Sequence, residues 1–421
     1  MIPNTFKHFF HYAFLYGMIS YGGMALPNYM GGNNNFSLFM FVVSLLIIGS
    51  SHTHIRIKRQ YFDFIIVLLI SLLIVFATST LSIGSIYTIV SMLIVVYAAY
   101  IYNPLYFVSR LLIILSTLGI ISIILFTIQS AIGAHALGYI MPFTHQTIID
   151  NDIKDFRSLY YTVSLLHHNR NCGPFGEPGQ YQIVLCTALY FSLFKSWLYN
   201  EKLKIWYITI FFITLITTMS TSGYLALCIL ICCYSLHIKK QQRSKIDKKM
   251  KIIFTCILFS SIAFLLFTDI GNQMFETAIY RKININETGL DIFSGGSGSA
   301  RTISISNFIN RLYIEPEILW GIGFDEMQKK EIVIDGAVGI INLLGAIGFI
   351  SFSILFYFCC SQNIRYSKSK WESLCCIALF INAGLGQPHI LNPLLFSMFL
   401  FSYFYKNTKF KSIKLKQEKN I

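Results

Sequence analysis

About a dozen long apolar runs, separated by short basic loops and by two large acidic ones, restrict what this chain can fold into. A helix rises about 1.5 Å per residue and needs roughly 20 apolar residues to cross about 30 Å of hydrocarbon. The runs at 9–26, 36–50, 62–81, 83–101, 111–128, 179–198, 205–222, 223–237, 252–268, 337–358, 372–385 and 393–405 are near that length, although the second, eighth and last two are short. The sequence therefore predicts an all-α polytopic membrane protein with about 12 transmembrane helices and tight turns at Ser82 and Ser222.

Charge sorts the connections into two compartments. With both termini on one side, that side carries 24 of the 33 basic residues, including seven between Lys239 and Lys251 and six in the tail 406–421. Only five acids accompany them, for a net of +19, whereas the other side has nine bases and 14 acids, a net of −5; together they give the chain's +14. Lysine and arginine in short loops stay cytoplasmic, so both termini are expected there. Topology thus accounts for the basic excess without a nucleic-acid partner. A mean hydropathy of +0.60 with 12% charged residues fits a surface that faces lipid. The first run lacks a basic leader and a small-residue cleavage site, so it is expected to be its own insertion signal. Of ten cysteines only Cys172 falls in an outer loop, which leaves no disulfide framework to expect.

The two large outer loops, 129–178 and 269–336, are where chemistry is expected. In the first, Ile153, Phe156, Leu159, Tyr160, Val163 and Leu166 recur at helical spacing, predicting an amphipathic surface helix. In the second, Ile305, Phe308, Ile309, Leu312 and Tyr313 do the same, and Pro316 bounds them. After the first comes Asn169-Arg170-Asn171-Cys172-Gly173-Pro174-Phe175-Gly176-Glu177-Pro178-Gly179-Gln180, which enters a span whose first N–H groups form the positive end of a helix dipole. Ser294-Gly295-Gly296-Ser297-Gly298-Ser299-Ala300-Arg301 opens the second helix in a similar way. Each place offers backbone N–H groups and an arginine, a combination suited to phosphate.

These residues carry a resemblance. Arg170-x-x-Gly173 with Phe175 and Glu177-Pro178-Gly179, then Ser220-Thr221-Ser222-Gly223-Tyr224, Ser297-Gly298-Ser299-Ala300-Arg301, Gly321-Ile322-Gly323-Phe324 and the Gly345 to Gly348 stretch resemble the Wzy-type O-antigen and capsular polysaccharide polymerases. The resemblance covers the chain from Arg170 onward, and the first five runs match in hydropathy alone. It implies a GT-C-like helical bundle in the bacterial cytoplasmic membrane. The implied reaction joins undecaprenyl-diphosphate-linked oligosaccharide units on the outer face, with flippase and chain-length regulator proteins as partners. Two contacts do not carry over: Thr221 stands where relatives often have arginine, and Leu344 or Ala346 where an acid is common. The related O-antigen ligases use a histidine in the second large loop, and 269–336 contains none. Ligase is therefore the second reading, and a lipid-oligosaccharide flippase or transporter the third, since the runs hold almost no ionisable residues.

A departing diphosphate needs its charge stabilised. No metal or other cofactor is expected, because Asp150-Asn151-Asp152 faces a compartment without nucleotide sugars, and His8, His11, His52 and His54 read as interfacial side chains on the opposite face. Arg170 and Arg301 are expected to hold the diphosphate, with Arg281 or Arg311 in support and Ser297 and Ser299 as substrate-binding hydroxyls. Glu177 is the expected general base, on the premise that a carboxylate half-buried at the membrane boundary has a raised pKa. His167, His168, Asp325 and His389 are its rivals and candidate substrate contacts. Single-cysteine variants should separate the faces: an impermeant maleimide added to intact cells should label the loop 169–177 and leave position 245 unlabelled. Labelling at 245 would reverse the orientation.

Overall fold

The computed structural model describes residues 4–50, 59–149, 152–200, 202–240, 284–286, 289–291, 297–332, 338–387 and 390–407. In chain order the helices are α1 (Asn4–Ser20), α2 (Leu26–Tyr29), α3 (Asn33–Ser50), α4 (Arg59–Thr78), α5 (Ile83–Tyr102), α6 (Phe107–Ile132), α7 (Ala134–Ile140), α8 (Pro178–Phe194), α9 (Leu203–Thr217), α10 (Thr221–Lys240), α11 (Ser297–Ile314), α12 (Phe324–Lys329), α13 (Gly339–Tyr366), α14 (Lys370–Gly386) and α15 (Pro393–Asn407). The molecule is not wholly α. Strands β1 (His145–Ile149), β2 (Asp152–Arg157) and β3 (Thr162–Ser164) form an antiparallel sheet, and β4 (Asn284–Asn286) pairs with β5 (Gly289–Asp291).

Six described helices are long and apolar enough to cross a membrane: Asn33–Ser50, Gln60–Thr78, Ile83–Tyr102, Phe107–Ile132, Thr221–Ile238 and Gly339–Tyr366. That makes a multi-pass membrane protein and corrects the count of twelve. Helix α8 shows why hydropathy over-counted. It has 17 residues and is buried along its whole length except at Gln180. An all-round apolar helix is equally the signature of one enclosed by its neighbours, and α8 packs against α6, α9, α10, α14 and α15. Helices α9 and α15, at 15 residues each, are shorter still. The expected run at 252–268 lies outside the described residues.

Several boundaries follow from local chemistry. Ser82 caps α5 by accepting from the Ser85 N–H at 3.1 Å, which makes the expected tight turn after α4. The expected turn at Ser222 lies slightly earlier, between α9 and α10 at 218–220. The first run ends sooner than hydropathy suggested, because α1 stops at Ser20 and Gly22-Gly23 turn the chain. The amphipathic helix expected in 153–166 is instead β2, a turn and β3. Ser158 Oγ donates to the Tyr161 carbonyl at 2.7 Å and accepts from its N–H at 3.0 Å, closing a hairpin that pairs Phe156 with Val163. Both side chains then pack with Leu137 and Met141 of the α7 region, and Ile153 and Tyr160 join them, whereas Leu159 in the turn and Leu166 beyond β3 are exposed. The second amphipathic helix is present as α11, followed by Pro316.

Helix α13 is interrupted inside its apolar run. At Gly348 the backbone turns to φ 78°, where a side chain would meet the Trp320 carbonyl at 2.3 Å. The break frees carbonyls that the 320–324 strap fills: Ile322 N–H donates to Gly345 O at 2.9 Å and Gly323 N–H to Ala346 O at 3.0 Å. The two glycine motifs thus meet backbone to backbone. At the opposite end of the bundle the Lys195 ammonium donates to Glu372 and to Ser402 Oγ, with all three side chains buried. Removing one partner of such a pair costs about 3–5 kcal/mol. His8 and His11 are not simply interfacial, since both bind the guanidinium of buried Arg110.

Gly348→Ala should destabilise the protein by about 2 kcal/mol or more, from left-handed backbone strain and the Trp320 clash. Gly49→Ala, which meets nothing within 4 Å, should not. Thermal unfolding in detergent reads the difference, and equal melting of the two variants would refute the strap's role.

Candidate functional site

A cavity of about 450 Å³ opens where several distant parts of the chain meet. The turn after α1 contributes Tyr21, Gly23 and Met24; the α2 to α3 segment contributes Asn28, Asn33 and Asn34; β2 ends there with Arg157; and the first turn of α8 contributes Gln180. Phe324 of the strap, Asn342 of α13 and Leu391 close the other side. Five carboxamides and one cation therefore line it.

The loop before α8 is held by a dense set of bonds. Asn171 Nδ2 donates to Thr217 Oγ1 at 2.9 Å and to Ser122 Oγ at 3.3 Å, while its Oδ1 accepts from the Gly173 N–H at 2.9 Å. Ser122 also contacts the Tyr181 hydroxyl at 3.0 Å. Farther along, Phe175 forms a β-bridge with Met24, and Gly176 N–H donates to Gly23 O at 3.1 Å. This clamp explains the glycines. Gly23 sits at φ 101°, and a side chain there would strike Gln180 Oε1 at 2.3 Å; one on Gly176 would strike the Arg157 guanidinium at 2.8 Å.

Polar groups inside are partly committed. Arg157 Nη2 pairs with buried Asp155 at 2.8 Å. Arg157 Nε and Gln180 Oε1 are shielded from solvent and have no partner within the protein, one a donor and the other an acceptor. Buried groups of this kind are costly unless something bonds them. The Tyr21 hydroxyl reaches Ser37 Oγ at 3.4 Å, and Ser37 reaches Ser91 at 3.2 Å, so hydroxyls continue from the wall into the interior.

None of the expected site residues is among those that line this cavity, and some lie outside the described chain. Glu177 occupies the N-cap position of α8 without a side-chain cap bond, and it is exposed, which corrects the half-buried placement expected for it. Arg170 donates through Nε to the Thr218 carbonyl at 3.1 Å, satisfying the C-terminal end of α9. Burial lowers its guanidinium below the ordinary value, opposed by Cys172, Tyr224 and Glu177. His167 is half-buried, and burial, followed by the Arg170 charge, holds it below the ordinary histidine value while Glu177 and Asp155 pull it upward. His168 is exposed, with its ring 3.4 Å from the Leu165 carbonyl. Arg311 pairs with Glu315 at 3.0 Å, and Asp325 is exposed on α12. Ser297, Ser299 and Arg301 lie in the first turns of α11, where backbone alone is described; Arg281 and His389 lie outside the described residues.

Sequence reasoning missed Arg157, Gln180 and the asparagines. A signal existed in Asn33-Asn34-Asn35, an amide cluster in an otherwise apolar stretch. No protein-family model and no curated protein matches the chain.

Because His167 binds protons less readily in the folded loop, the unfolded loop takes up more of them as pH falls through 6.5. The loop's stability is fully present above that value and declines below it. Hydrogen-exchange protection of 165–177 should therefore drop on acidification, and His167→Gln should flatten the dependence. An unchanged profile in the variant would exclude His167 as its source.

Proposed function

We propose that the protein is a metal-independent membrane glycosyltransferase. In this reading it joins lipid-diphosphate-linked oligosaccharide repeat units into a polysaccharide on the outer face of a bacterial cytoplasmic membrane. The observation that carries the proposal is the carboxamide-lined cavity at one end of a bundle of membrane-length helices. A sugar hydroxyl both donates and accepts, as a carboxamide does, and two residues of the lining each carry a polar atom without a protein partner, the donor Nε of Arg157 and the acceptor Oε1 of Gln180. A phosphate would call for excess cation. Here the one cation of the lining is already balanced by Asp155, which favours an uncharged polyhydroxyl group.

The acceptor sugar accordingly lies in the cavity, with its hydroxyl turned toward the start of α8. Glu177 takes the hydroxyl proton, and the oxygen attacks the anomeric carbon of the donor. The bond from that carbon to the phosphate oxygen breaks, and the diphosphate leaves with the electron pair. Arg170, whose Nε is engaged by Thr218, retains two terminal nitrogens for the phosphate, and Arg301 is its proposed companion. Arg311 is the weaker support because Glu315 already binds it.

Gene deletion should leave surface lipid capped with single repeat units on a gel. Loss of all attached glycan would point to a ligase, and an unchanged profile would reject both. Glu177→Gln should lower polymer formation by about 10²- to 10⁴-fold at normal membrane levels, and Gln180→Leu by about tenfold, through one lost buried hydrogen bond. Wild-type polymer from Gln180→Leu would remove the cavity from the mechanism.

A further inference from the structure

A second opening, of about 550 Å³, lies between α4 and α13 on the other side of the strap. Ile74 and Val75 of α4, Ile350 of α13 and the Trp320 indole form its apolar part, with the hydroxyls of Ser71 and Ser351 among them. Ile74, Ile350 and Trp320 are each more than half exposed, on or beside two helices of membrane-crossing length and apolarity. What meets these side chains in a bilayer is hydrocarbon. The groove changes character at the C-terminal end of α4, where Thr78, Ser79, Thr80, Glu317, Glu326 and Lys330 line it. Its polar part is therefore at the strap, next to the amide cavity. Trp320, Gly321 and Ile322 line the groove, and Phe324, two residues on, lines the cavity.

The strap is thus a partition between an apolar slot open to lipid and a hydroxyl-binding chamber. We propose that the groove holds the aliphatic chain of a lipid-linked saccharide, which enters sideways between α4 and α13 while its sugar passes over the 320–324 strap into the cavity. This rests on the reading of the cavity as a sugar site. A bilayer phospholipid would fill only the slot, whereas a chain carrying saccharide fills both chambers. The linkage between chain and sugar would lie at the strap, where Arg311, Lys329 and Lys330 gather on Glu315 and Glu326.

The test uses the full-length protein in nanodiscs of phosphatidylethanolamine and phosphatidylglycerol, with a polyprenyl phosphate bearing a diazirine on its chain. After irradiation, label should map to 74–80, 320–322 or 350–351 and be displaced by unlabelled polyprenyl phosphate. Ile350→Trp, at a lipid-exposed position that tolerates bulk, should reduce labelling about tenfold by excluding a few methylenes from the groove. It should leave calorimetric binding of oligosaccharide released from the surface polysaccharide unchanged. Label mapping elsewhere, or a diazirine phospholipid labelling the same residues equally and resisting displacement by polyprenyl phosphate, overturns the groove proposal. Absence of oligosaccharide binding to the wild type overturns the sugar-site reading, whichever way the lipid label falls.

Discussion

Two backbone hydrogen bonds, from Ile322 to Gly345 and from Gly323 to Ala346, hold the interior of α13 together where it ceases to be a regular helix. Carbonyls released within an apolar run must find donors, because an unpaired peptide group away from water costs several kcal/mol. The donors come from a segment that hydropathy would leave wandering in a loop. Once bound, this segment cannot drift, and its side chains take fixed positions: Trp320 toward the groove and Phe324 toward the cavity. Thr80 adds a further tie by donating to the Ile322 carbonyl, so α4 is stitched into the same junction.

The polar chamber depends on a comparable economy of parts. Asn171 ties its own loop to α6 and α9, and the bridge between Phe175 and Met24 brings the start of α8 against the turn after α1. The small sheet then contributes through the last residue of its central strand, Arg157. Tyr29 donates to the carbonyls of Phe143 and, at 3.3 Å, Arg157, fixing β2 beside α2. Chemistry-bearing side chains in this molecule are therefore held by tertiary hydrogen bonds between loops, while the long helices supply the frame.

That division explains what the sequence made legible. Apolar periodicity reports burial in either lipid or protein, so it located α3 to α6, α10 and α13 well and could not tell lipid-facing α4 from enclosed α8. Ser82 and Pro316 marked true boundaries because caps and prolines act within a few residues. The glycines of 321–323 and 345–348 were visible as motifs, yet nothing local says that each exists for the other. Arg157 was hidden for a similar reason. Its meaning comes from Gly176, Asp155 and Gln180, and only the fold brings it against Gly176 and Gln180. The mistaken helix at 153–166 arose because a hairpin, folded on itself, repeats apolar residues at intervals that mimic 3.6.

The buried pair of Lys195 and Glu372 has a bearing on biogenesis. The two residues are 177 positions apart, so Lys195 leaves the ribosome long before its carboxylate exists. During that interval its ammonium has to stay at the water interface, and α8, enclosed on all sides in the finished protein, has only the part of its shell that α6, α9 and α10 provide. Arrival of α14 and α15 supplies both Glu372 and Ser402. The end of α8 is thus completed only by two helices that are translated well after it, and a chain cut short before them leaves the Lys195 charge without its buried partner.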